Sequence, residues 1–308
     1  MKARRCLACL RDLRGDGEYH ARCAKALFGT ARVPSVDVDL AKLHTVALAM
    51  VGHTSLSGIQ RKVSLGLTTD RATLRVAAEG GDFILKPQAQ TFPNLPENEH
   101  VTMLMGTLAG IEIPPCGLVQ LRDGSNAYIV RRFDRVPKGK LMQEDFCQLA
   151  ELSPKQKYEG SAELCARMVR RYATETVVEM LKLFRLVVFT WWCGNGDMHL
   201  KNFSLLRGPD GVYRLSPAYD MLCTSLVIPD DPLALPVGGN KKDIRPREWR
   251  EYAQYCKLPA KAAARVMSDV RDALVPALDL VARSALPPEM QEHYAELLTK
   301  RTKLLART

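Results

Sequence analysis

The chain has 308 residues, of which 46% are hydrophobic and 25% are charged, and it carries a formal net charge of +10 at pH 7. This composition excludes a fibrous or disordered protein, and the length suffices for one large core or two lobes. The basic residues are spread along the chain, so the charge is compatible with ATP, an acidic protein or a DNA-bound partner, and selects none of them. The basic N-terminus is not followed by an apolar segment of signal-peptide length, so we expect a cytoplasmic protein with no membrane association and reduced thiols.

The first thirty residues contain two closely spaced pairs of potential metal ligands. The pairs are Cys6 with Cys9 and His20 with Cys23. Four such ligands could hold a tetrahedral zinc ion in a small structural knuckle. Buried thiols in a short helix-turn segment would explain the same residues, so both interpretations remain open.

A β-rich region follows, and it begins with a loop rich in serine and glycine. This loop contains Ser55, Ser57 and Gly58, and the alternating run at 62–67 directly after it is typical of a strand. Backbone N–H groups in such a loop can approach phosphates, although an ordinary hairpin turn has the same composition.

Lys86 ends a second predicted strand at 83–87. A lysine on a buried strand needs an anionic partner, because an unpaired charge is costly in a low dielectric. Glu99 lies at the start of a predicted helix and can be that partner. Alternatively, the lysine extends to solvent from a strand edge and Glu99 only decorates a first helical turn.

The segment 191–206 carries the strongest chemical signal. Asp197 and Asn202 stand five positions apart, directly before a predicted strand, and a Pro-Asp-Gly turn at 209–211 predicts a hairpin that returns the chain to Asp220. Phosphoryl transfer requires one carboxylate to accept the proton of the attacking hydroxyl, and a carboxylate plus an amide oxygen to hold Mg²⁺. An isolated Asp-x-x-x-x-Asn is usually a turn, but loop, hairpin and carboxylate follow the order found in protein kinases.

The rest of the sequence predicts scaffold. A long buried helix is expected at 174–193, with Val177 and Val178 among its apolar positions, and the helical half of the chain is expected to begin at 142–147. Between the two key residues of the loop, His199 and Lys201 could orient phosphate or face solvent.

Seven motifs, in this order, resemble the HipA/HipT-type serine/threonine kinases, which are the toxins of bacterial toxin–antitoxin modules. They are S-L-S-G-I-Q-R-K, I-L-K-P, N-E-H, V-R-R-F-D-R, Q-E-D-F-C-Q, G-N-G-D-M-H-L-K-N-F-S and L-S-P-A-Y-D-M. The resemblance covers residues 50–225, and the ordered set is far more specific than any one motif. It implies a two-lobed, protein-kinase-like α+β fold with a β-rich N-lobe and an all-helical C-lobe. The expected divisions are a Cys/His segment at 1–30, the N-lobe at 31–134 and the C-lobe at 135–308.

The resemblance also implies roles for individual residues. Asp197 would be the catalytic base, Asn202 and Asp220 would bind Mg²⁺, and Lys86 would contact the ATP phosphates. The remaining residues near the nucleotide or in support of it would be Gly58, Arg131, Phe133, His199, Tyr219, Glu99 and Lys201, with the backbone of 131–133 as the hinge. The serine-glycine loop would cover the phosphates and become autophosphorylated at Ser55 or Ser57, which would lower or retune activity.

By the same resemblance, the substrate would be an aminoacyl-tRNA synthetase, whose modification would halt translation and growth. Only about fifty residues precede the serine-glycine loop, whereas longer members carry roughly a hundred more, so we expect the short, HipT-type arrangement. Its partners would be a small HipS-like antitoxin and a helix-turn-helix HipB-like antitoxin, with DNA contacted indirectly through the latter. Two alternatives remain: a small-molecule phosphotransferase using the same residues, and a nucleic-acid-associated regulator with an inactive kinase fold.

Overall fold

The computed structural model describes residues 4–36, 62–77, 80–137 and 139–306. The chain forms two compact units that each have their own core. The first unit comprises Met1–Val101, Pro114–Arg132 and Ala282–Leu286, and the second comprises Thr102–Ile113, Phe133–Val281 and Pro287–Thr308.

The first unit is built on a six-stranded sheet with the order β1-β3-β2-β4-β6-β5. Strand β1 pairs with β3 in parallel, and every other pairing in this sheet is antiparallel. The strands are β1 (Ser35–Val36), β2 (Val63–Leu67), β3 (Thr73–Val76), β4 (Phe83–Pro87), β5 (Cys116–Gln120) and β6 (Asn126–Arg131), and the helices are α1 (Ala21–Phe28) and the beginning of α2 (Leu95–Leu108).

The central pair β4 and β6 shows how this sheet separates its core from its polar face. Successive side chains of a strand point to opposite faces, and directly paired residues share a face. Leu85 is paired with Ile129, and both lie in the hydrophobic core with α1. Lys86 is paired with Tyr128 on the other face, where its ammonium nitrogen lies 5.7 Å from the centre of the tyrosine ring. The predicted strand at 83–87 is confirmed, and its register turns the lysine away from the core.

The second unit is mainly helical, and it also contains a small sheet of three strands and a separate antiparallel pair of strands. Its strands are β7 (Arg135–Val136), β8 (Gly139–Lys140), β9 (Gln143–Asp145), β10 (Ser204–Arg207) and β11 (Tyr213–Leu215). Its helices are α3 (Phe146–Leu149), α4 (Ala162–Tyr172), α5 (Thr176–Trp192), α6 (Pro246–Tyr255), α7 (Ala260–Asp272), most of α8 (Leu274–Arg283) and α9 (Pro288–Leu305). Within the described residues, no helix combines the length and the apolar character that crossing a bilayer needs.

The predicted hairpin is confirmed as β10 and β11, and β10 has a second antiparallel partner in β9. The predicted helical start at 142–147 is therefore wrong for its first half, since these residues complete the edge of the small sheet. The helix begins only at Phe146 because Asp145 caps it, with a carboxylate that accepts the backbone N–H of Gln148. The side-chain oxygen of Gln148 in turn accepts a hydrogen bond from the backbone N–H of Asp145, which completes a capping box.

Helix α5 is confirmed as the long buried helix, but its first turn differs from the prediction. Val177 and Val178 are 76% and 50% exposed. The inward position of this turn is taken by Glu179, which is fully buried and accepts a hydrogen bond of 2.8 Å from the backbone of Leu215. The buried position in this turn therefore goes to the carboxylate that accepts a hydrogen bond from the end of strand β11, and the two valines remain exposed.

Candidate active site

The loop that follows α5 is held by close contacts around two glycines. Gly194 has a φ of 78°, which lets the chain leave the helix directly after its cap. At Gly196, a Cβ atom would lie 2.0 Å from the Asp231 carboxylate and 2.6 Å from the carbonyl oxygen of Pro232. Asn195 accepts a hydrogen bond of 3.0 Å from the backbone N–H of Asp197. The segment G-N-G therefore fixes the backbone position of Asp197.

Asn202 is tied to Asp197 across a single turn of 3₁₀ helix, Leu200–Asn202. Its side-chain nitrogen donates to the backbone carbonyl of Asp197 at 3.0 Å, and both residues are at most 8% exposed. Because the amide nitrogen is committed to this bond, the orientation of the amide is set and its oxygen is presented as the acceptor. The structure thus joins the two residues that the sequence predicts to act as a pair, through the side-chain amide of Asn202 and the backbone carbonyl of Asp197.

The carboxylate of Asp197 has an unusual electrostatic environment. Its pKa is raised to about 6, mainly by burial and in smaller part by the neighbouring carboxylates of Asp220 and Asp231. The Tyr158 hydroxyl, which donates to Asp197 at 2.5 Å, and the Lys157 ammonium act in the opposite direction. A carboxylate with a raised pKa is a stronger base than one in water, which suits proton abstraction near neutral pH.

At pH values above the pKa that Asp197 has in the folded chain, its ionised carboxylate should lower the stability of the fold. The folded chain binds the proton more tightly than the unfolded chain, so stability is highest at low pH and falls as pH rises from about 4 through about 6. Without added Mg²⁺ or nucleotide, the free energy of unfolding of Asp197→Asn at pH 8 should therefore be about 1–3 kcal/mol higher than that of the wild type. At pH 4 the two proteins should be equally stable. Denaturant unfolding of both proteins at pH 4 and pH 8 measures the difference.

Asp210 provides the control, because its pKa is lowered by the hydrogen bond from Arg214. Asp210→Asn should show no gain at either pH. A pH-independent gain for Asp197→Asn, or none, would contradict the electrostatic account.

Asp220 follows β11 and has a φ of 55°, in the left-handed region that aspartate tolerates better than most residues. The preceding Tyr219 fixes this turn, since its hydroxyl donates to the carbonyl of Lys201 at 2.9 Å and is hydrogen-bonded to Ser204. Burial raises the pKa of Tyr219 above its usual range, so the hydroxyl keeps its proton. The predicted metal carboxylate is thereby fastened to the loop that carries Asn202.

His199 is 2% exposed, and neither of its ring nitrogens has a hydrogen-bond partner among the described residues. Burial and the positive charge of Lys157 lower its pKa to about 4, so the ring is neutral at pH 7. The ring of Tyr158 meets it edge-on at 5.1 Å. A buried imidazole without a protein partner is costly, so it indicates a position that a bound molecule completes. Lys201, in contrast, is bound to Asp145 at 2.6 Å.

In the first unit, Lys86 and Glu99 form the predicted pair. The lysine nitrogen lies 2.6 Å from the carboxylate, and the residues are 5% and 1% exposed. In the segment predicted as the hinge, the N–H groups of Arg131 and Arg132 are already bound to the carbonyls of Pro115 and Asp82. These two N–H groups are therefore not available as donors to a bound molecule.

Two further groups of predicted residues have different outcomes. Ser55, Ser57 and Gly58 lie outside the described residues. The four predicted metal ligands in the first thirty residues come together, and their ligand atoms all lie within 4.8 Å of one another.

Sequence reasoning missed four residues that surround the loop of Asp197 and Asn202. They are Lys157, Tyr158, Thr224 and Asp231. The last two brace the loop from behind, because Thr224 accepts the N–H of Gly196 at 2.7 Å and donates to the Asp231 carboxylate. Tyr158 lies 39 positions before Asp197, and no local pattern links the two. Only the tertiary fold reveals these contacts.

Comparison with known proteins agrees with a kinase-like fold. The HipA-like C-terminal domain family matches residues 54–278, and the chain belongs to this family. Residues Lys86, Asp197, Asn202 and Asp220 all fall inside the match.

Among curated relatives, "Putative kinase Y4dM" of Sinorhizobium fredii is 34% identical over 61% of this chain and 49% of its own length. The chain spans between about half and two thirds of the length of the curated relatives it matches.

Two solved structures share the fold. One is HipA of Shewanella oneidensis MR-1, in a toxin–antitoxin complex with HipB and operator DNA, with a TM-score of 0.69 and 20% identity over 81% of this chain and 64% of that chain. The other is the Helicobacter pylori proinflammatory kinase CtkA, with a TM-score of 0.54 and 13% identity over 73% of this chain and 88% of that chain.

Proposed function

We propose that this chain is the serine/threonine protein kinase toxin of a toxin–antitoxin module. The observation that carries the proposal is the loop on which Asn202 is bonded to Asp197, together with the bond from Tyr219 to this loop that brings the neighbouring Asp220 to it. A carboxylate and an amide oxygen are ligands that suit Mg²⁺, and the imidazole of His199, which has no hydrogen-bond partner among the described residues, supports binding of a polar molecule beside them.

When bound, ATP supplies the phosphoryl group and Mg²⁺ neutralises the charge of its phosphates. Asp197 accepts the proton of the attacking serine or threonine hydroxyl, and its raised pKa matches that task. Asn202 and Asp220 hold the metal ion. Lys86, oriented by Glu99, contacts the phosphates. His199 and Tyr219 contact the nucleotide, and the backbone of 131–133 contacts its base.

The wider assignments follow from family membership and remain proposals. The substrate is an aminoacyl-tRNA synthetase, and its modification stops translation. Ser55 and Ser57 are the sites of autophosphorylation. Because the HipA of Shewanella oneidensis was solved with HipB and operator DNA, a helix-turn-helix antitoxin is proposed as one partner of this chain, and a small HipS-like antitoxin as another.

Mass spectrometry after incubation with Mg-ATP and a bacterial lysate tests the proposal. The matched inactive variant is Asp220→Asn, because asparagine also tolerates the left-handed backbone but removes the charge that would bind the metal. The wild type should add phosphate to residues 53–60 and to one lysate protein. The variant should reduce both signals by about a hundredfold or more.

Absence of any Asp220-dependent phosphate on protein would overturn the proposal. Asp220-dependent consumption of ATP with no protein phosphate would then favour a small-molecule phosphotransferase. No ATP consumption by either protein would favour the regulator with an inactive kinase fold.

A further inference from the structure

The Cys/His cluster of the first unit has the geometry of a metal site. The Nδ1 atom of His20 lies 3.4 Å from the sulfur of Cys9 and 3.9 Å from that of Cys23, and the fourth ligand, Cys6, is fully buried. These separations lie on either side of roughly 3.6 Å, the N···S edge of a tetrahedron with zinc–sulfur bonds of about 2.3 Å and zinc–nitrogen bonds of about 2.05 Å. Three thiolates and one imidazole are a common ligand set of structural zinc.

The orientation of His20 supports metal binding independently of these separations. Its Nε2 atom lies 3.1 Å from the carbonyl oxygen of Asp12, and a carbonyl can only accept a hydrogen bond. Nε2 therefore carries a proton, and Nδ1 is the ring nitrogen that faces the sulfurs of Cys9 and Cys23. Zinc-binding histidines are held in this way, with the second ring nitrogen donating to a carbonyl or carboxylate.

The backbone of the cluster is also preformed. The N–H of Cys6 donates to the carbonyl of Arg11, and that of Leu10 donates to the carbonyl of Cys6, both at 2.9 Å. Leu10 takes a φ of 58°, which closes a tight turn directly after Cys9. His20 caps α1, so that Cys23 lies in the first turn of this helix. Two short, rigid segments thus each supply two ligands.

The two residues between Cys6 and Cys9 dock on the rest of the first unit. The carbonyl of Leu7 accepts the N–H of Leu118 in β5 at 2.8 Å, and the carbonyl of Ala8 accepts from the His100 ring at 3.1 Å. Tyr19, next to His20, donates to the carbonyl of Leu118 at 2.5 Å. The loop from Cys6 to Cys9 is therefore attached to strand β5 and also to α2, where its partner His100 directly follows Glu99.

We propose that Cys6, Cys9, His20 and Cys23 bind one zinc ion, and that this ion holds the loop against β5 and α2 and so supports the position of Glu99 opposite Lys86. Without the ion, three thiols and an imidazole within 4.8 Å are joined only by weak hydrogen bonds between sulfur and nitrogen, and the two carbonyl contacts lose most of their support. The inference does not depend on the proposed kinase activity.

Zinc content of the purified full-length chain is the first test. One equivalent per chain is expected for the wild type, and less than roughly a tenth for Cys9→Ser and Cys23→Ser. The same substitution at the buried Cys256 of the second unit should leave one equivalent, which controls for a general effect of losing a thiol. His20→Cys keeps a four-ligand set and should also retain zinc. In the wild type, cobalt in place of zinc should give the visible spectrum of a tetrahedral thiolate site.

Hydrogen exchange measured by mass spectrometry is the second test, and it does not require catalysis. In Cys9→Ser, amides in 116–120 and 95–101 should exchange about tenfold faster or more, while α7 should be unchanged. A wild-type chain without zinc, or with a disulfide between these cysteines, would overturn the metal site. Bound zinc with unchanged exchange in 95–101 would overturn the support of Glu99. If Cys9→Ser fails to fold, removing zinc from the wild type with a chelator gives the same comparison.

Discussion

Asp197→Asn should slow phosphoryl transfer by about 10²–10⁴-fold, although it should make the fold more stable above pH 6. Asparagine preserves the size of the side chain and can still accept the hydrogen bond from Tyr158, but it cannot take a proton from a hydroxyl. Transfer of labelled phosphate to protein, measured in a single turnover at saturating Mg-ATP, isolates this step from product release.

The pH dependence gives a second measure of the same role. In the wild type, kcat/KM should fall below an apparent pKa of about 6, because protonation removes the base. The residual kcat/KM of Asp197→Asn should not show this fall at low pH. Asp210→Asn, in the exposed turn of the neighbouring hairpin, should keep both the rate and the pH profile of the wild type. A rate for Asp197→Asn within a few-fold of the wild type would exclude Asp197 as the base.

The second large effect concerns the stability of the first unit. Lys86→Met should destabilise the protein by about 3–5 kcal/mol, because Glu99 would stay buried without the lysine that lies 2.6 Å away. The double variant Lys86→Met with Glu99→Leu should regain most of that loss, since two apolar side chains of similar size can replace a buried ion pair. Urea unfolding of the three proteins measures both effects.

An exposed ion pair supplies the control. Arg247 and Glu251 lie 2.7 Å apart on α6 and are 77% and 50% exposed. Arg247→Met should leave the urea midpoint within experimental error of the wild type, because exposed pairs contribute little. A loss in the double variant equal to that of Lys86→Met would show that the carboxylate contributes nothing to the cost.

Several parts of this architecture could be predicted because they depend on short-range chemistry. The hairpin of β10 and β11 follows from a Pro-Asp-Gly turn between alternating runs, and the pairing of Asp197 with Asn202 follows from their spacing on one tight loop. The pair formed by Lys86 and Glu99 was predicted from the cost of burying an isolated charge.

Other parts depend on contacts between distant segments and left no pattern in the sequence. The exposure of Val177 and Val178 reflects the competing burial of Glu179, which depends on where β11 ends. The contact of Tyr158 with Asp197 and the bracing of Gly196 by Thr224 join segments that are 39 and 28 positions apart. The pKa of Asp197 is likewise a property of its burial, and a sequence does not contain it.

The left-handed backbone of Asp220 has a consequence for how such a chain changes over generations. A residue other than glycine pays on the order of 1 kcal/mol for this conformation, whereas glycine adopts it freely. Asp220→Gly would therefore remove this backbone cost while deleting the carboxylate proposed to bind the metal. In a lineage where the proposed activity is no longer selected for, the backbone conformation at this position does not oppose a change to glycine. Glycine at this position in a related chain would then mark a protein that has kept its fold and given up its chemistry.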